Sequence, residues 1–398
     1  MKIGIYGGTF DPIHLGHMAA AKYAAGYLGL DKLYLIPAGI PPHKTLSSNA
    51  AQAEDRLAMT KLAAWEMDMD GVAEVLDLEL RREGKSYTLD TLRQLREKHP
   101  DDQLFLLMGT DMFLSLQNWR HPEEIVKLCT LCAFHRSRSD TAECFAQQHA
   151  YLAQTLGAEV ITVSLPEIVE ISSTQLRECL ARGEGRAYLA ETVYGYILRK
   201  GLYGLKGDLR HLPLEDLRPA ALSMLKPSRI PHVLGCEETA ARLARRWGAD
   251  EESARRGALL HDCTKICDRE QQLALCRQYG IGLDEQELAE AKLLHAPTGA
   301  AVAADVFGVS RAVAQAIRWH TTGKPDMTLL EKILYLADYI EPTRDFCDLR
   351  ALRELAFADL DAAMLLGLTM AVEDLGKKGM PVHPNSVRAR DYLKGSRP

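Results

Sequence analysis

The sequence predicts two parts of different fold class, an α/β part with a doubly wound parallel sheet over residues 1–205 and an all-helical part over residues 206–398. Short apolar runs alternate with helical patterns in the first part. This alternation is typical of a parallel, Rossmann-like sheet covered by helices on both faces. No convincing strand follows residue 208, and glycines cluster at the change of pattern, in KGLYGLKGD. The length of 398 residues also exceeds what one hydrophobic core usually serves.

The elements of the first part follow one another in a regular order. We expect strands in KIGIYGG, KLYLIPAG and QLFLLMGTD, and helices in HMAAAKYAAGYLG, AEDRLAMTKLAAWE and around TLDTLRQLREKH. Ligands of such sheets bind beyond the carboxyl ends of the strands, so the site is expected at that edge. The second part reads as a series of helices, among them EETAARLARRWG, SARRGALLHDCTKI, RAVAQAIRWH and LLEKILYLADYI.

The composition argues against several functional classes. A net charge of −6 does not suit a general nucleic-acid binder. No apolar run reaches the length of a membrane span, and the first residues do not resemble a signal peptide. The nine cysteines are scattered and lack a secretory context, so we expect them to be reduced, in a cytoplasmic protein.

The stretch GGTFDPIHLGH, residues 7–17, follows the first expected strand. Gly7 and Gly8 let the backbone approach an anion closely, and the start of the next helix offers free N–H groups. His14 and His17 are three residues apart, so they share one face of the first helical turn and can donate hydrogen bonds to phosphate oxygens. The spacing fits neither the GxGxxG nor the Walker fingerprint. The stretch therefore predicts a phosphate-binding turn of another kind.

A second stretch, ISSTQLR at residues 171–177, places hydroxyls and a guanidinium near a helix start. The segment Ser172–Thr174 is expected to form the cap and first turn, with Arg177 one turn on. Together with HLGH, this stretch resembles the HxGH nucleotidylyltransferase superfamily. The resemblance implies that ATP is bound by Gly7, Gly8, Thr9, His14, His17, Asp111, Ser172, Ser173, Thr174 and Arg177.

Four further segments narrow this resemblance to the bacterial nicotinate-nucleotide adenylyltransferases: PPHK, YTLDTL, GTDMFLSLQNW and the ending YGYILRKGLY. The resemblance implies adenylyl transfer from ATP to nicotinate mononucleotide, which yields deamido-NAD and pyrophosphate. Mg²⁺ would bridge the leaving phosphates.

The same resemblance assigns roles to single residues. The catalytic groups of this half would be His14, His17, Lys44 and Arg177. The nicotinate nucleotide would be bound by Lys44, Thr88, Trp119 and Arg136. Of these, Thr88 and Trp119 would form the pyridine pocket, and Asp111 would bind the adenosine ribose. One position departs from the family pattern, because Arg120 follows Trp119 where an aromatic residue is common.

The helical half carries a second group of polar residues, in which four histidines and two aspartates lie on or beside helical patterns. They are His232, His261, Asp262, His295, His320 and Asp338. Such groups are costly to bury without compensation, and metal ligation provides it. Imidazole and carboxylate donors without thiolate suit Fe, Mn or Zn.

In their order, and with HTTG and ADYIEPTR, these residues resemble the HD superfamily of phosphohydrolases and, more narrowly, its YqeK type. The resemblance implies two divalent metals, Fe in the first place and Mn or Zn as alternatives. One metal would be held by His232, His261, Asp262 and Asp338. The other would be held by His295 and His320, with Asp262 as the bridge. Asp262 and Lys265 would be catalytic, and Lys265 and Arg344 would bind the polyphosphate of diadenosine tetraphosphate, which this type cleaves symmetrically to two ADP.

Two alternatives stay open from the sequence. The acceptor of the first half could be a nicotinamide nucleotide or pantetheine phosphate. The helical half could sense a nucleotide without turning it over. The physiological metal, the preferred dinucleotide and the oligomeric state are also open, and a homo-oligomer is compatible with the sequence.

Overall fold

A computed structural model of the chain describes residues 1–41, 49–69, 71–135, 142–167, 169–345 and 348–395. The chain divides into two compact units, Met1–Lys206 and Gly207–Pro398.

A six-stranded parallel sheet forms the centre of the first unit. Its strands β1 to β6 are Lys2–Gly8, Lys32–Pro37, Ala73–Val75, Gln103–Gly109, Thr130–Phe134 and Val160–Val163. Their spatial order is β3-β2-β1-β4-β5-β6, and every pairing is parallel. This is the strand order of a doubly wound sheet. It confirms the predicted fold class of the first part.

In the described residues of the first unit, α-helices lie between and after these strands. In chain order, α1 to α8 are Leu15–Leu28, Ala53–Glu66, Thr88–Lys98, Thr110–Leu114, Pro122–Leu128, Ala142–Leu156, Ser173–Ala181 and Glu191–Lys200. Short 3-10 turns occupy Leu116–Asn118, Arg186–Tyr188 and Leu202–Gly204. The middle strands are apolar on both faces, as Ile3, Leu33, Leu106 and Leu131 show by being almost fully buried. A parallel sheet with helices on both faces requires this composition.

The strand order reverses direction at β1, and this positions the site. β1 pairs with β2 on one side and with β4 on the other, with Ile5 opposite Leu106. Gly7 and Gly8 were expected in a turn after this strand, but they are its last two residues and pair with β2, so the turn begins at Thr9. The end of β1 therefore lies beside the carboxyl end of β4. Doubly wound sheets form a ligand crevice at such a reversal.

The second unit is helical throughout its described residues, 207–345 and 348–395, as predicted. Its helices α9 to α19 are Leu214–Leu222, Ile230–Trp247, Glu251–Leu260, Arg269–Gln278, Glu285–Ala289, His295–Phe307, Arg311–Trp319, Leu329–Ile340, Arg350–Ala358, Leu360–Lys377 and Pro384–Gly395. Three 3-10 turns lie at Leu209–His211, Pro227–Arg229 and Ala291–Leu293.

Two details of the helical unit concern where its helices end and how they pack. The long pattern after residue 350 divides into α17 and α18 at Asp359, because this side chain accepts the Ala362 N–H and caps the second helix. Helix α10 packs against α11 and α16, and these three helices carry or precede most of the predicted metal ligands.

Over the part of the chain that the structure describes, no helix combines the length and apolarity needed to cross a membrane.

Candidate functional sites

A cavity of about 700 Å³ opens at the carboxyl ends of β1 and β4 in the first unit. Its lining includes most of the predicted ATP and pyridine residues that the structure describes, namely Gly7, Gly8, Thr9, His17, Thr88, Asp111, Trp119, Ser172, Ser173, Thr174 and Arg177. Its volume is within the range of small-molecule sites. The two stretches that are far apart in sequence, GGTFDPIHLGH and ISSTQLR, thus meet at one cavity.

His17 lies on the first turn of α1 with one ring nitrogen already engaged. Its Nδ1 is 3.3 Å from the backbone nitrogen of His14. A backbone N–H can only donate, so Nδ1 accepts this bond, and in the neutral imidazole the proton is carried by Nε2. His17 lines the cavity. It is therefore a hydrogen-bond donor suited to an anionic ligand.

His14 occupies a different position from the one expected. It is the N-cap residue of α1 and is buried, and its ring lies 3.7 Å from the ring of His17, centroid to centroid. It does not belong to the lining of the large cavity; it lines a small neighbouring pocket with His135 and Val169. The structure thus brings His14 to the site behind His17.

Arg177 forms a buried network with a residue that the sequence analysis did not assign. Its Nη1 donates to the backbone oxygen of Asp11 at 2.7 Å and lies 3.3 Å from the carboxylate Oδ2. The carboxylate Oδ1 accepts the hydroxyl of Tyr203 at 2.8 Å and the Ala51 N–H at 2.9 Å. Burial, followed by the Asp11 charge, raises the pKa of Tyr203 far above its ordinary value, so the hydroxyl stays a donor. The network ties the turn after β1 to α7.

A second buried arginine supports the same turn. Arg56 on α2 donates through Nη1 to the backbone oxygens of Thr9 and Ala38, at 2.7 and 2.6 Å. Arg56 is almost fully buried. The sequence analysis did not single it out, since an arginine inside an amphipathic helix pattern normally faces solvent.

The first turn of α7 lines the cavity as expected, but its hydroxyls have other partners. Ser172 caps the helix by accepting the Gln175 N–H, and Ser173 donates to the backbone oxygen of Pro12 at 3.1 Å. Thr174 accepts a bond from Arg177. The helix start can therefore attract an anion mainly through its backbone N–H groups and dipole.

The aromatic lining, which we define as Tyr87, Thr88, Trp119 and Arg120, forms another part of the cavity wall. Thr88 is the first residue of α3, and Trp119 packs partly against the sheet core. The guanidinium carbon of Arg120 lies 4.6 Å from the centre of the Tyr87 ring. This lining offers aromatic faces, a helix N-terminus and a cation. Lys44 and Arg136, which were also predicted to serve the substrates, lie outside the described residues.

The six predicted metal ligands of the second unit converge on one buried cluster. The Nε2 atoms of His232 and His261 are 3.3 Å apart, and those of His295 and His320 are 3.1 Å apart. Asp338 Oδ1 lies 3.0 Å from His232 Nε2. The four rings are almost fully buried.

Each imidazole in the cluster is oriented through its other nitrogen. The Nδ1 atoms of His261, His295 and His320 lie 2.6–2.7 Å from backbone oxygens one turn earlier. Carbonyl oxygens only accept, so these Nδ1 atoms carry protons in their neutral rings and Nε2 presents a lone pair to the cluster. In His232 the acceptor is a side chain instead: Glu341 Oε1 lies 2.9 Å from Nδ1 and orients the ring in the same way. Glu341 was not assigned from the sequence.

Asp262 lies between the two histidine pairs. Its Oδ2 is 3.4 Å from His261 Nε2 and its Oδ1 is 3.3 Å from His295 Nε2. Burial opposes the charge, but His261 and the other neighbouring donors hold the pKa of Asp262 well below its ordinary value. The carboxylate is therefore ionised, with one oxygen directed to each pair.

Three cations surround these carboxylates. Lys265 Nζ lies 3.0 Å from Asp262 Oδ1, and Arg344 Nη2 lies 2.7 Å from Asp338 Oδ1, so both predicted polyphosphate-binding residues are at the cluster. Arg229, which the sequence analysis missed, donates through Nε to Asp262 Oδ2 at 2.6 Å.

The donor set fits divalent metal ions. Four Nε2 lone pairs and two carboxylates face one another at distances of 3.0 to 3.9 Å. Two unprotonated nitrogens do not attract each other at this spacing, but both can bind the same cation. Cys236 lies beside the set, with Sγ 3.4 Å from His232 Nε2. Burial raises the pKa of this thiol well above its ordinary value.

Comparison with known proteins divides the chain in the same way. A cytidylyltransferase-like family matches residues 5–179, and the HD domain family matches residues 229–343. A *Halalkalibacterium halodurans* protein named "Probable nicotinate-nucleotide adenylyltransferase" is 38% identical over 203 residues, which cover 51% of this chain and 91% of that protein. A *Pseudomonas syringae* protein of the same name is 38% identical over 214 residues, covering 51% of this chain and 93% of its own length.

Solved structures resemble each half. A structure from *Clostridium acetobutylicum*, described as a predicted HD superfamily hydrolase involved in NAD metabolism, covers 47% of this chain and 99% of its own, with 36% identity and a TM-score of 0.45. *Plasmodium falciparum* nicotinic acid mononucleotide adenylyltransferase complexed with NaAD covers 52% and 98%, with 19% identity and a TM-score of 0.44. An HD domain implies binding of divalent metal ions, and the cluster around Asp262 provides ligands for them. With relatives 38% identical over about nine-tenths of their length, the chain belongs through its first half to the nicotinate-nucleotide adenylyltransferase family, and it carries an HD domain in its second half.

Proposed function

We propose that the first unit transfers the adenylyl group of ATP to nicotinate mononucleotide, and that the HD unit hydrolyses diadenosine tetraphosphate to two ADP. The observation that carries the first activity is the cavity at the carboxyl ends of β1 and β4. It combines groups for a polyphosphate, at the end of β1 and at the start of α7, with the aromatic lining, which suits a pyridine ring. Family membership supports the same acceptor.

The reaction requires positioning and charge stabilisation rather than a covalent enzyme intermediate. The phosphate of the mononucleotide attacks the α-phosphorus of ATP in line, and the bond to pyrophosphate breaks. His17 donates through Nε2–H to phosphate oxygens that gain charge, and the N-terminus of α7 adds its dipole. The Asp11–Arg177–Tyr203 network holds these two elements at a constant separation.

Mg²⁺ would enter this site with its substrate. The Asp11 carboxylate already contacts Arg177, Tyr203 and Ala51, so it has little capacity left for a cation. An ion held by ATP phosphates and water suits this arrangement, and when bound it would neutralise charge on the leaving pyrophosphate.

A pyrophosphate-release assay tests the first activity. The full chain is supplied with ATP and one acceptor at a time: nicotinate mononucleotide, nicotinamide mononucleotide or pantetheine phosphate. We expect the highest kcat/KM with nicotinate mononucleotide. A clear preference for either of the other acceptors would contradict the proposal.

The observation that carries the second activity is the convergence of four Nε2 lone pairs and two carboxylates, with cations beside them. His232, His261 and Asp338 would hold one metal ion. His295 and His320 would hold the other, with Asp262 between the two. When bound, these ions would activate a water molecule as the nucleophile.

The surrounding cations complete the proposed hydrolytic site. Lys265 and Arg344 each contact a carboxylate at its edge, and about a third of the Lys265 side chain is exposed. From these positions they can bind phosphate oxygens of the substrate and stabilise charge on the leaving ADP. Attack of water on the central linkage breaks one P–O bond and yields two ADP.

A product assay separates hydrolysis from sensing. The full chain is incubated with diadenosine tetraphosphate and Fe²⁺ or Mn²⁺, and nucleotides are separated by chromatography. We expect ADP as the sole product. Binding without turnover would favour a nucleotide-sensing domain, and formation of ATP with AMP would exclude the symmetrical cleavage.

A further inference from the structure

We infer that Arg120 selects the acidic pyridine nucleotide over its amide, and so sets the charge preference of the acceptor site. This inference rests on the proposed adenylyl transfer and names a specificity-determining residue for it. Arg120 follows the 3-10 turn Leu116–Asn118 and lines the cavity next to Trp119.

The Arg120 guanidinium packs against Tyr87 in the aromatic lining. It stacks over the ring of Tyr87 with 4.6 Å between the guanidinium carbon and the ring centre. Tyr87 is the N-cap residue of α3, so the cation lies close to the helix start at Thr88. Stacking of this kind limits the freedom of an otherwise flexible side chain. A ring that binds against Trp119 and Thr88 would thus present its substituent near a fixed positive charge.

The other charges of the cavity leave this role to Arg120. Of the described lining residues, the arginines are Arg120 and Arg177, and Arg177 is paired with Asp11. Arg120 forms no hydrogen bond or ion pair with a described residue; its recorded contact is the stack on Tyr87. The buried carboxyl of Glu79, also in the lining, accepts a hydrogen bond from Thr91. Among the described lining residues, the arginine on which a substrate carboxylate can dock is therefore Arg120.

Charge is what distinguishes the two acceptors. Nicotinate carries a carboxylate that a guanidinium can bind through two parallel N–H donors, while nicotinamide carries a neutral amide of nearly the same shape. Because Arg120 is exposed, its attraction to the carboxylate is moderate and is weakened by salt. We expect the side chain to contribute about tenfold to the acid-over-amide preference, the size of one charge-assisted hydrogen bond.

The test compares kcat/KM for nicotinate mononucleotide and nicotinamide mononucleotide, with ATP in excess, for the full chain and for Arg120→Gln and Arg120→Lys. We expect Arg120→Gln to lower the acid-to-amide ratio about tenfold through the acid alone, and Arg120→Lys to retain part of it, since lysine keeps the charge but not the stacked guanidinium. The matched control is Arg93→Gln on α3, which pairs with Glu124 and does not line the cavity. It should leave the ratio unchanged.

Salt provides a readout that a purely structural role would not affect. Raising ionic strength should reduce the ratio in the unmodified chain and have little effect on it in Arg120→Gln. An equal loss with both acceptors, or an unchanged ratio, would overturn the inference while leaving the proposed function in place. A chain that adenylylates neither mononucleotide would overturn the proposed function itself, and the role of Arg120 with it.

Discussion

The two units use histidine in opposite tautomers. In the first unit, His17 Nδ1 accepts a backbone N–H, so Nε2 carries the proton and can donate to an anion. In the second unit, Nδ1 of His261 and of His320 faces a backbone oxygen and carries the proton, so Nε2 presents a lone pair to a cation. The partner of Nδ1 therefore determines whether Nε2 is a donor suited to phosphate or a lone pair suited to a metal ion.

The interactions that stabilise each site also differ between the two units. The first site depends on a buried ion pair and hydrogen bonds, centred on Asp11 and Arg177. The second site brings together nitrogen lone pairs and carboxylates, which repel one another unless cations lie between them. Metal removal should therefore lower the thermal stability of the second unit and leave that of the first unit unchanged. The following substitutions test this contrast in order of decreasing expected effect.

Asp262→Asn should have the largest effect, because one oxygen of Asp262 faces each histidine pair. The substitution removes the shared charge, and metal ions contribute several kcal/mol to such reactions, so we expect hydrolysis to fall by ~10³-fold or more. Metal content per chain, measured by elemental analysis, should fall as well. Adenylyl transfer by the same preparation is the internal control, and its loss in parallel would show that the two sites are not independent.

His17→Ala should lower the kcat of adenylyl transfer by about 10²-fold, the usual cost of one donor to a charge-developing oxygen. His17→Gln should recover part of this rate, since its amide can place an N–H near the position of Nε2. His261→Gln should recover little metal binding relative to His261→Ala, because its amide nitrogen has no lone pair to offer and its carbonyl oxygen is a weaker ligand than imidazole for Fe or Zn. His121→Asn, at an exposed position, is the neutral control. Equal rates for His17→Ala and His17→Gln would contradict the tautomer assigned to His17.

Glu341→Gln should weaken metal binding by about 10- to 100-fold, as is typical for a group that orients a ligand without touching the metal. Glu341 accepts from His232 Nδ1 and from the Thr343 backbone N–H. The glutamine amide of the variant can orient the His232 ring, but it lacks the negative charge that raises the basicity of that ring. A competition titration with a chromophoric chelator measures the change. Glu331→Gln, at the other end of α16, should leave metal affinity unaltered.

The fold and the outline of both sites were predictable because their signals are local. The glycines at the end of β1 and the cap at Ser172 indicate a phosphate-binding site from a few residues each, and the alternation of apolar runs with helical patterns indicates the parallel sheet. The predicted metal ligands were recognisable as polar residues in helical segments that the pattern expected to be buried. Their roles remain predictions until the variants above are measured.

The supporting residues could not be found in this way, because their partners are distant in sequence. Tyr203 is 192 positions from Asp11, and Glu341 is 109 from His232. A single tyrosine or glutamate in an amphipathic pattern carries no sign that it will meet a buried charge. The exclusion of His14 from the large cavity is also a tertiary effect, because His14 lines a small pocket with His135 and Val169, which are distant from it in sequence.

Tyr203→Phe should give the smallest effect, on the stability of the first unit. The substitution leaves one oxygen of the buried Asp11 carboxylate with a single donor, the Ala51 N–H, and losing a bond to a charged group costs about 2 kcal/mol in the free energy of unfolding. Tyr196→Phe is the matched control: it removes a 2.7 Å bond to Asp55, a site that water can reach, so it should cost about 1 kcal/mol or less. Calorimetry of the full chain with and without chelator identifies the metal-independent transition in which both losses are read. If the Tyr203 loss appeared instead in the chelator-sensitive transition, the first site would depend on metal after all, and the contrast between the two units would fail.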